Sequence, residues 1–159
     1  MNTGLERFID AQHNSYAYAL AEIKSGKKKS HWMWFIFPQI TGLGESETSK
    51  YYAIKDIEEA ANFLHHEILG NRLIEISKEL LMLENNNARA IFGFPDYLKL
   101  QSSMTLFSQV ENTHEVFLQV LDKFFDGQSD NNTIQILNGN TNVKKKPNKS
   151  CFKNLLDFL

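Results

Sequence analysis

Leu5, Phe8, Ile9, Gln12, Tyr16, Leu20 and Ile23 recur at helical steps along one face, which predicts a helix from Thr3 to about Ser25. Thr3 and Glu6 have capping-box spacing, and Gly26 suits a stop. The pattern then changes. Trp32 to Phe37 is an unbroken apolar run with neither a helical nor a strand period. Among helical neighbours it reads as a short buried helix ending before Pro38. Thr41-Gly42-Leu43-Gly44 reads as a loop, followed by a short helix from Ser46 to Tyr52.

Asp56 caps a predicted helix to about His66, with Ile57, Ala60, Ala61, Phe63 and Leu64 as its stripe. Gly70 reads as an interruption, after which Leu73, Ile76, Leu80, Leu81 and Leu83 continue on a second helix to about Glu84. Glu84 to Asn87 is a polar linker, and Ala88 to Phe92 a single turn closed by Gly93. Pro95 and Asp96 open a helix to about Val110. Thr113 to Phe125 forms another, and Asn131 or Asn132 caps a last one through Leu137. No alternating pattern exceeds about four residues. The expectation is an all-α, compact, multihelical single domain over residues 1–139, built round a central buried aromatic-rich helix. Residues 140–159, rich in Asn and Lys, read as a mobile tail whose Phe152, Leu155, Leu156, Phe158 and Leu159 could dock as a short helix.

Composition narrows the class. With 159 residues, 42% hydrophobic and 23% charged, the chain can bury a core without a disulfide or metal. No apolar run approaches the roughly 20 residues of a membrane span. The opening residues lack a signal-peptide core and Cys151 stands alone, so the expected location is cytoplasmic. A net charge of -2 argues against a dedicated nucleic-acid binder.

Familiar catalytic signatures are absent. Lys24 to Ser30 lacks the glycine spacing of a phosphate loop, and there is no Gly-x-Ser-x-Gly or His-Glu-x-x-His. His13, His31, His65, His66 and His114 form no i, i+4 pair, so neither a metal site nor a cofactor is expected. Cys151 has no evident base to activate it.

Three segments remain. The first joins Lys27, Lys28, Lys29 and Ser30 to His31, Trp32 and Trp34, combining positive charge, donors and stacking faces suited to a phosphorylated planar ligand. If the apolar run is helical, Lys29, Ser30 and His31 stand near its N-terminus, where backbone N–H groups favour an anion. The alternative is that the aromatics are core and the lysines a solvated turn. The second sets Asp96, Lys99, Ser102 and Ser103 near one face of a helix, either lining a polar pocket or serving as a cap and its ion pair. The third is Arg72, placed after Gly70 to clamp a phosphate or carboxylate, or else to brace Glu75 or Glu79.

The block Lys29-Ser30-His31-Trp32-Met33-Trp34-Phe35-Ile36-Phe37-Pro38-Gln39, with Gly42-Leu43-Gly44, resembles the opening signature of the domain-of-unknown-function family 1810. The resemblance continues through Tyr52-Ala53-Ile54, Leu69-Gly70, Arg72-Leu73, Ile91-Phe92-Gly93 and Asp96, then Lys99-Leu100 and Ser102 to Phe107. It implies a multihelical all-α fold with central buried helices and supplies no activity. Glu67 departs from the proline usual in that family after the position of His66, so the bend there is less rigidly set. Members are sometimes labelled calpastatin, yet a calpain inhibitor of that kind is a long disordered chain and this is an aromatic-rich globule. A weaker pattern, Tyr51-Tyr52, Ala60, Leu64, Leu69-Gly70 and Arg72, is similar to the NADAR (YbiA-like) proteins, which implies N-glycosidic bond cleavage.

The leading expectation is binding or hydrolysis of a phosphorylated, nucleotide-like small molecule. Lys28, Lys29 and Arg72 would hold phosphate, and Trp32 or Trp34 would stack on the base. Asp96 or Glu45 would be the carboxylate of a hydrolysis and His31 the proton donor. The alternative is a non-enzymatic interaction module with an exposed tryptophan. A weaker one is nucleic-acid contact through Lys27–Lys29 and Lys144–Lys149. The sequence does not specify an oligomeric state.

Overall fold

The computed structural model describes residues 4–139. Thr3, Cys151, the lysines from 144 to 149 and the whole expected tail lie outside them. Among the described residues the fold is all-α, with ten helices. These are α1 (Glu6–His13), α2 (Tyr16–Lys24), α3 (Met33–Ile36), α4 (Glu47–Tyr52) and α5 (Ile57–His65). After them come α6 (Glu67–Met82), α7 (Ala88–Phe92), α8 (Asp96–Ser108), α9 (Val116–Phe125) and α10 (Asn131–Leu137). The one extended pairing among these residues is an isolated parallel bridge between the buried Ile40 and Ile54.

The expected first helix is two. The chain steps at Asn14-Ser15, residue types that compete with the helical ladder for backbone groups. Leu5, Phe8, Gln12, Ala19 and Ile23 are nonetheless buried on a common side. The apolar run forms α3, with Trp32, Met33, Ile36 and Phe37 buried as expected of a central aromatic-rich helix.

A second correction concerns the break before Gly70. Helix α5 ends at His65, and the extended backbone of the next residue, His66, lets its Nδ1 accept the N–H groups of Ile68 and Leu69 and so cap α6. Glu67 is therefore the first residue of α6, where a proline would also fit and where an acidic side chain suits the helix dipole. Gly70 lies inside α6 and is there for close approach: a Cβ would stand 1.8 Å from the Leu64 carbonyl oxygen. The last helix is capped by Asp130, through the Thr133 N–H, and not by Asn131 or Asn132.

Helices α6 and α8 form the centre. Helix α6 packs on α1, α2, α5 and α9, while α8 packs on α5, α7, α9 and α10. A chain of rings links α1, α5, α8 and α9: Phe8 to Phe63 at 5.1 Å, Phe63 to Phe107 at 5.4 Å and Phe107 to Phe117 at 5.8 Å between centroids. Such pairs add roughly 0.5–1.5 kcal/mol each beyond their burial. A second cluster joins Trp32, Phe37 and Phe92 at 6.0–6.4 Å, seating α3 against α7.

Gly70→Ala is expected to cost about 3 kcal/mol, because a backbone carbonyl and not a flexible side chain must give way. Urea unfolding checks this, the midpoint falling with little change in slope.

Candidate functional site

The basic turn between α2 and α3 is organised by Glu22, which the sequence reading passed over. Its Oε1 accepts the Lys29 N–H at 2.5 Å, the Ser30 N–H at 2.8 Å and the Trp32 indole N–H at 3.1 Å. Burial alone would raise this carboxyl, but the bonds from Lys29, Ser30 and Trp32 outweigh it and hold the group below its ordinary value. Two of the three backbone donors expected to favour an anion, those of Lys29 and Ser30, are thus already engaged by an internal carboxylate.

Lys28 is drawn inward. Its backbone N–H donates to the Ile91 carbonyl at 2.8 Å. Its side chain is only 7% exposed, with Nζ 2.8 Å from Asp96 Oδ2, 2.5 Å from the Ser30 carbonyl and 5.0 Å from the Trp32 ring centroid. Lys99 reaches the same carboxylate, Nζ to Oδ1 3.3 Å, while standing 5.0 Å from the centroid of Trp34. The first two predicted segments therefore meet, at Asp96. Two ammonium groups on one carboxylate leave an excess positive charge beside the half-buried indole of Trp34. Trp34 also lines a crevice of about 20 Å³ with Gln39, Thr41, Ser49 and Lys50, room for one water-sized molecule.

The other predicted residues fall elsewhere. Trp32 is 1% exposed and bound to Glu22, so it cannot stack on a ligand. Lys29, Ser30 and His31 are exposed on the turn, and Glu45 is exposed in the loop before α4. Arg72 does not join the lysines. Its Nη1 donates to Gln12 Oε1 at 3.4 Å and its guanidinium lies 4.9 Å from the Tyr16 ring. Gln12 in turn donates to the Phe35 carbonyl at 2.8 Å. The Tyr16 hydroxyl donates to Glu75, and burial together with that carboxylate raises it well above the ordinary phenol range. Ser102 shares the face of Lys99 but is engaged elsewhere: its hydroxyl donates to the Leu98 carbonyl at 3.1 Å and lies 3.3 Å from Asp130 Oδ2. Ser103 is fully buried in the core, its hydroxyl without a partner among the described residues. Neither serine lines a pocket with Asp96.

A larger cavity, about 390 Å³, opens between the Asn85–Asn87 linker, α7 and the end of α9. The segment that reads in the sequence as a polar linker thus forms one of its walls. Among the described residues there is no cluster of three or more metal-ligating side chains, and no helix long and apolar enough to cross a membrane.

The sequence model of the family described as "Protein of unknown function (DUF1810)" matches residues 2–137. The chain is similar to the crystal structure of the conserved hypothetical protein Rv1873 from Mycobacterium tuberculosis, with 39% identity and a TM-score of 0.84. The likeness covers 87% of this chain and 99% of that one. No curated protein matches.

Replacing Glu22 tests the organisation of the turn. Because its folded value is depressed, its contribution is fully present above the ordinary value near 4.5 and is lost as pH falls below it. Glu22→Gln is expected to lower stability by about 1–2 kcal/mol at neutral pH. It should also flatten the acid limb of stability against pH, measured by urea unfolding at a series of pH values.

Proposed function

We propose that this chain, which belongs to the family described as protein of unknown function (DUF1810), binds a phosphorylated, nucleotide-like small molecule at Lys28, Asp96, Lys99 and Trp34. The supporting observation is the charge balance of this cluster: two ammonium groups converge on the one Asp96 carboxylate, with Trp34 beneath Lys99. A partly buried excess cation is stabilised by an incoming anion. The phosphate would take Lys99 as its principal partner, since that side chain is 23% exposed, and the planar portion would lie along the open part of the indole.

Recognition is better supported than hydrolysis. Asp96 is clasped by both lysines, which compete for the oxygens a general base would use. Arg72, expected to hold phosphate with Lys28 and Lys29, is engaged by Gln12 and Tyr16. The interaction-module alternative called for an exposed tryptophan, whereas Trp32 is buried and Trp34 half-buried. The nucleic-acid alternative is less well supported, because Lys28 is withdrawn onto Asp96.

Trp34 is a built-in reporter. Titration with AMP, ADP-ribose and ribose phosphate should quench intrinsic fluorescence saturably for at least one of them, and Trp34→Phe should remove that change. Lys99→Ala should weaken binding about tenfold, the scale of one charge-assisted hydrogen bond. A saturable signal that ignores Lys99→Ala would refute the site, and no signal with any of the three would refute the ligand class.

A further inference from the structure

The cavity beside α7 is built for a different chemistry. Its volume of about 390 Å³ falls in the range of pockets that hold small organic molecules, roughly 300–1,000 Å³. Its apolar wall is aromatic: the rings of Tyr97, Phe124 and Phe125 line it, all three anchored in the core. A rigid wall of rings favours a flat ligand.

The polar wall has one character. Asn85 Oδ1 already accepts the Asn87 N–H at 2.9 Å, and Asn87 Oδ1 accepts the Ala90 N–H at 3.1 Å. These bonds fix the amide oxygens toward the backbone, and the amide nitrogens remain as N–H donors. Asn86, on the same wall, is exposed. Arg89 makes no ion pair among the described residues; its guanidinium rests 5.9 Å from the centroid of the exposed Phe94 ring. No carboxylate among the described residues lines the cavity.

We infer that this cavity is a binding site for a small planar aromatic carboxylate, its ring against Phe124 and Phe125 and its carboxylate on the Arg89 fork. A guanidinium presents parallel donors that match the two oxygens of a carboxylate. A cationic ligand would bring like charge to Arg89, and a neutral aromatic would forgo the charge-assisted bonds to its guanidinium. Neither Lys99 nor Trp34 lines this cavity, so the inference stands apart from the nucleotide-like site.

The test titrates the full chain with naphthoate, its neutral counterpart naphthalenemethanol, and naphthyl phosphate, followed by calorimetry and saturation-transfer NMR. Naphthoate is expected to bind saturably and about tenfold or more tighter than the alcohol. Arg89→Gln, a change on an exposed side chain, should erase that preference while leaving the melting temperature nearly unchanged. Asn86→Asp should do the same by adding a negative charge to the donor wall, and Lys99→Ala should leave naphthoate binding intact. Equal affinity for acid and alcohol, a preference that survives Arg89→Gln, or no saturable binding would overturn the site. Tighter binding of naphthyl phosphate would overturn the carboxylate assignment.

Discussion

A single carboxylate oxygen decides where the positive charge of this protein can act. Glu22 sits at the end of α2 and gathers two backbone N–H groups and the Trp32 indole N–H onto Oε1. That gathering solves a problem posed by the apolar run. A tryptophan can be buried only if its N–H finds an acceptor, and Glu22 supplies one without leaving the surface turn. The same bonds curl the lysine-rich segment back on itself, which sends the Lys28 side chain inward and leaves that of Lys29 outside. Charge adjacent in sequence is thereby divided into a structural cation and a solvent-facing one.

The inward lysine joins parts of the fold that share no helix. Lys27 and Lys28 together contact Ala90, Ile91 and Asp96, so the basic turn lies along α7 and the start of α8. Asp96 and Tyr97, neighbours on α8, then belong to different places: Asp96 to the lysine cluster, Tyr97 to the wall of the larger cavity. Charge and cavity share one frame while offering distinct chemistry. The first presents ammonium groups balanced by a carboxylate. The second presents a guanidinium and amide donors over aromatic rings.

Burial explains why most of the expected ligand contacts became internal ones. Arg72 lies on α6, where α1 and α2 pack, and the aromatic and amide groups there satisfy it. Ser102 and Ser103 lie on the central helix α8, which is covered by α5, α7, α9 and α10. A side chain on such an element meets protein on nearly every face.

Helical periodicity was enough to recover the all-α class, most helices from α3 onward and the burial of Trp32, Met33 and Phe35 to Phe37, because an apolar face must be covered wherever it falls. The lysines and tryptophans marked the turn as a candidate, the polar face of Asp96, Lys99, Ser102 and Ser103 marked α8, and the two segments do meet at Asp96. What local pattern left open was partnership. Glu22 looked like one more acidic residue on a helix, Gly70 like a break, and the run of asparagines like a mere connection. Their roles arise from groups distant along the chain: the Trp32 indole, the Leu64 carbonyl of the preceding helix, and the rings of α9. Hydrogen bonds, close backbone approach and cavities depend on distances in space, and those existed only once the helices had packed.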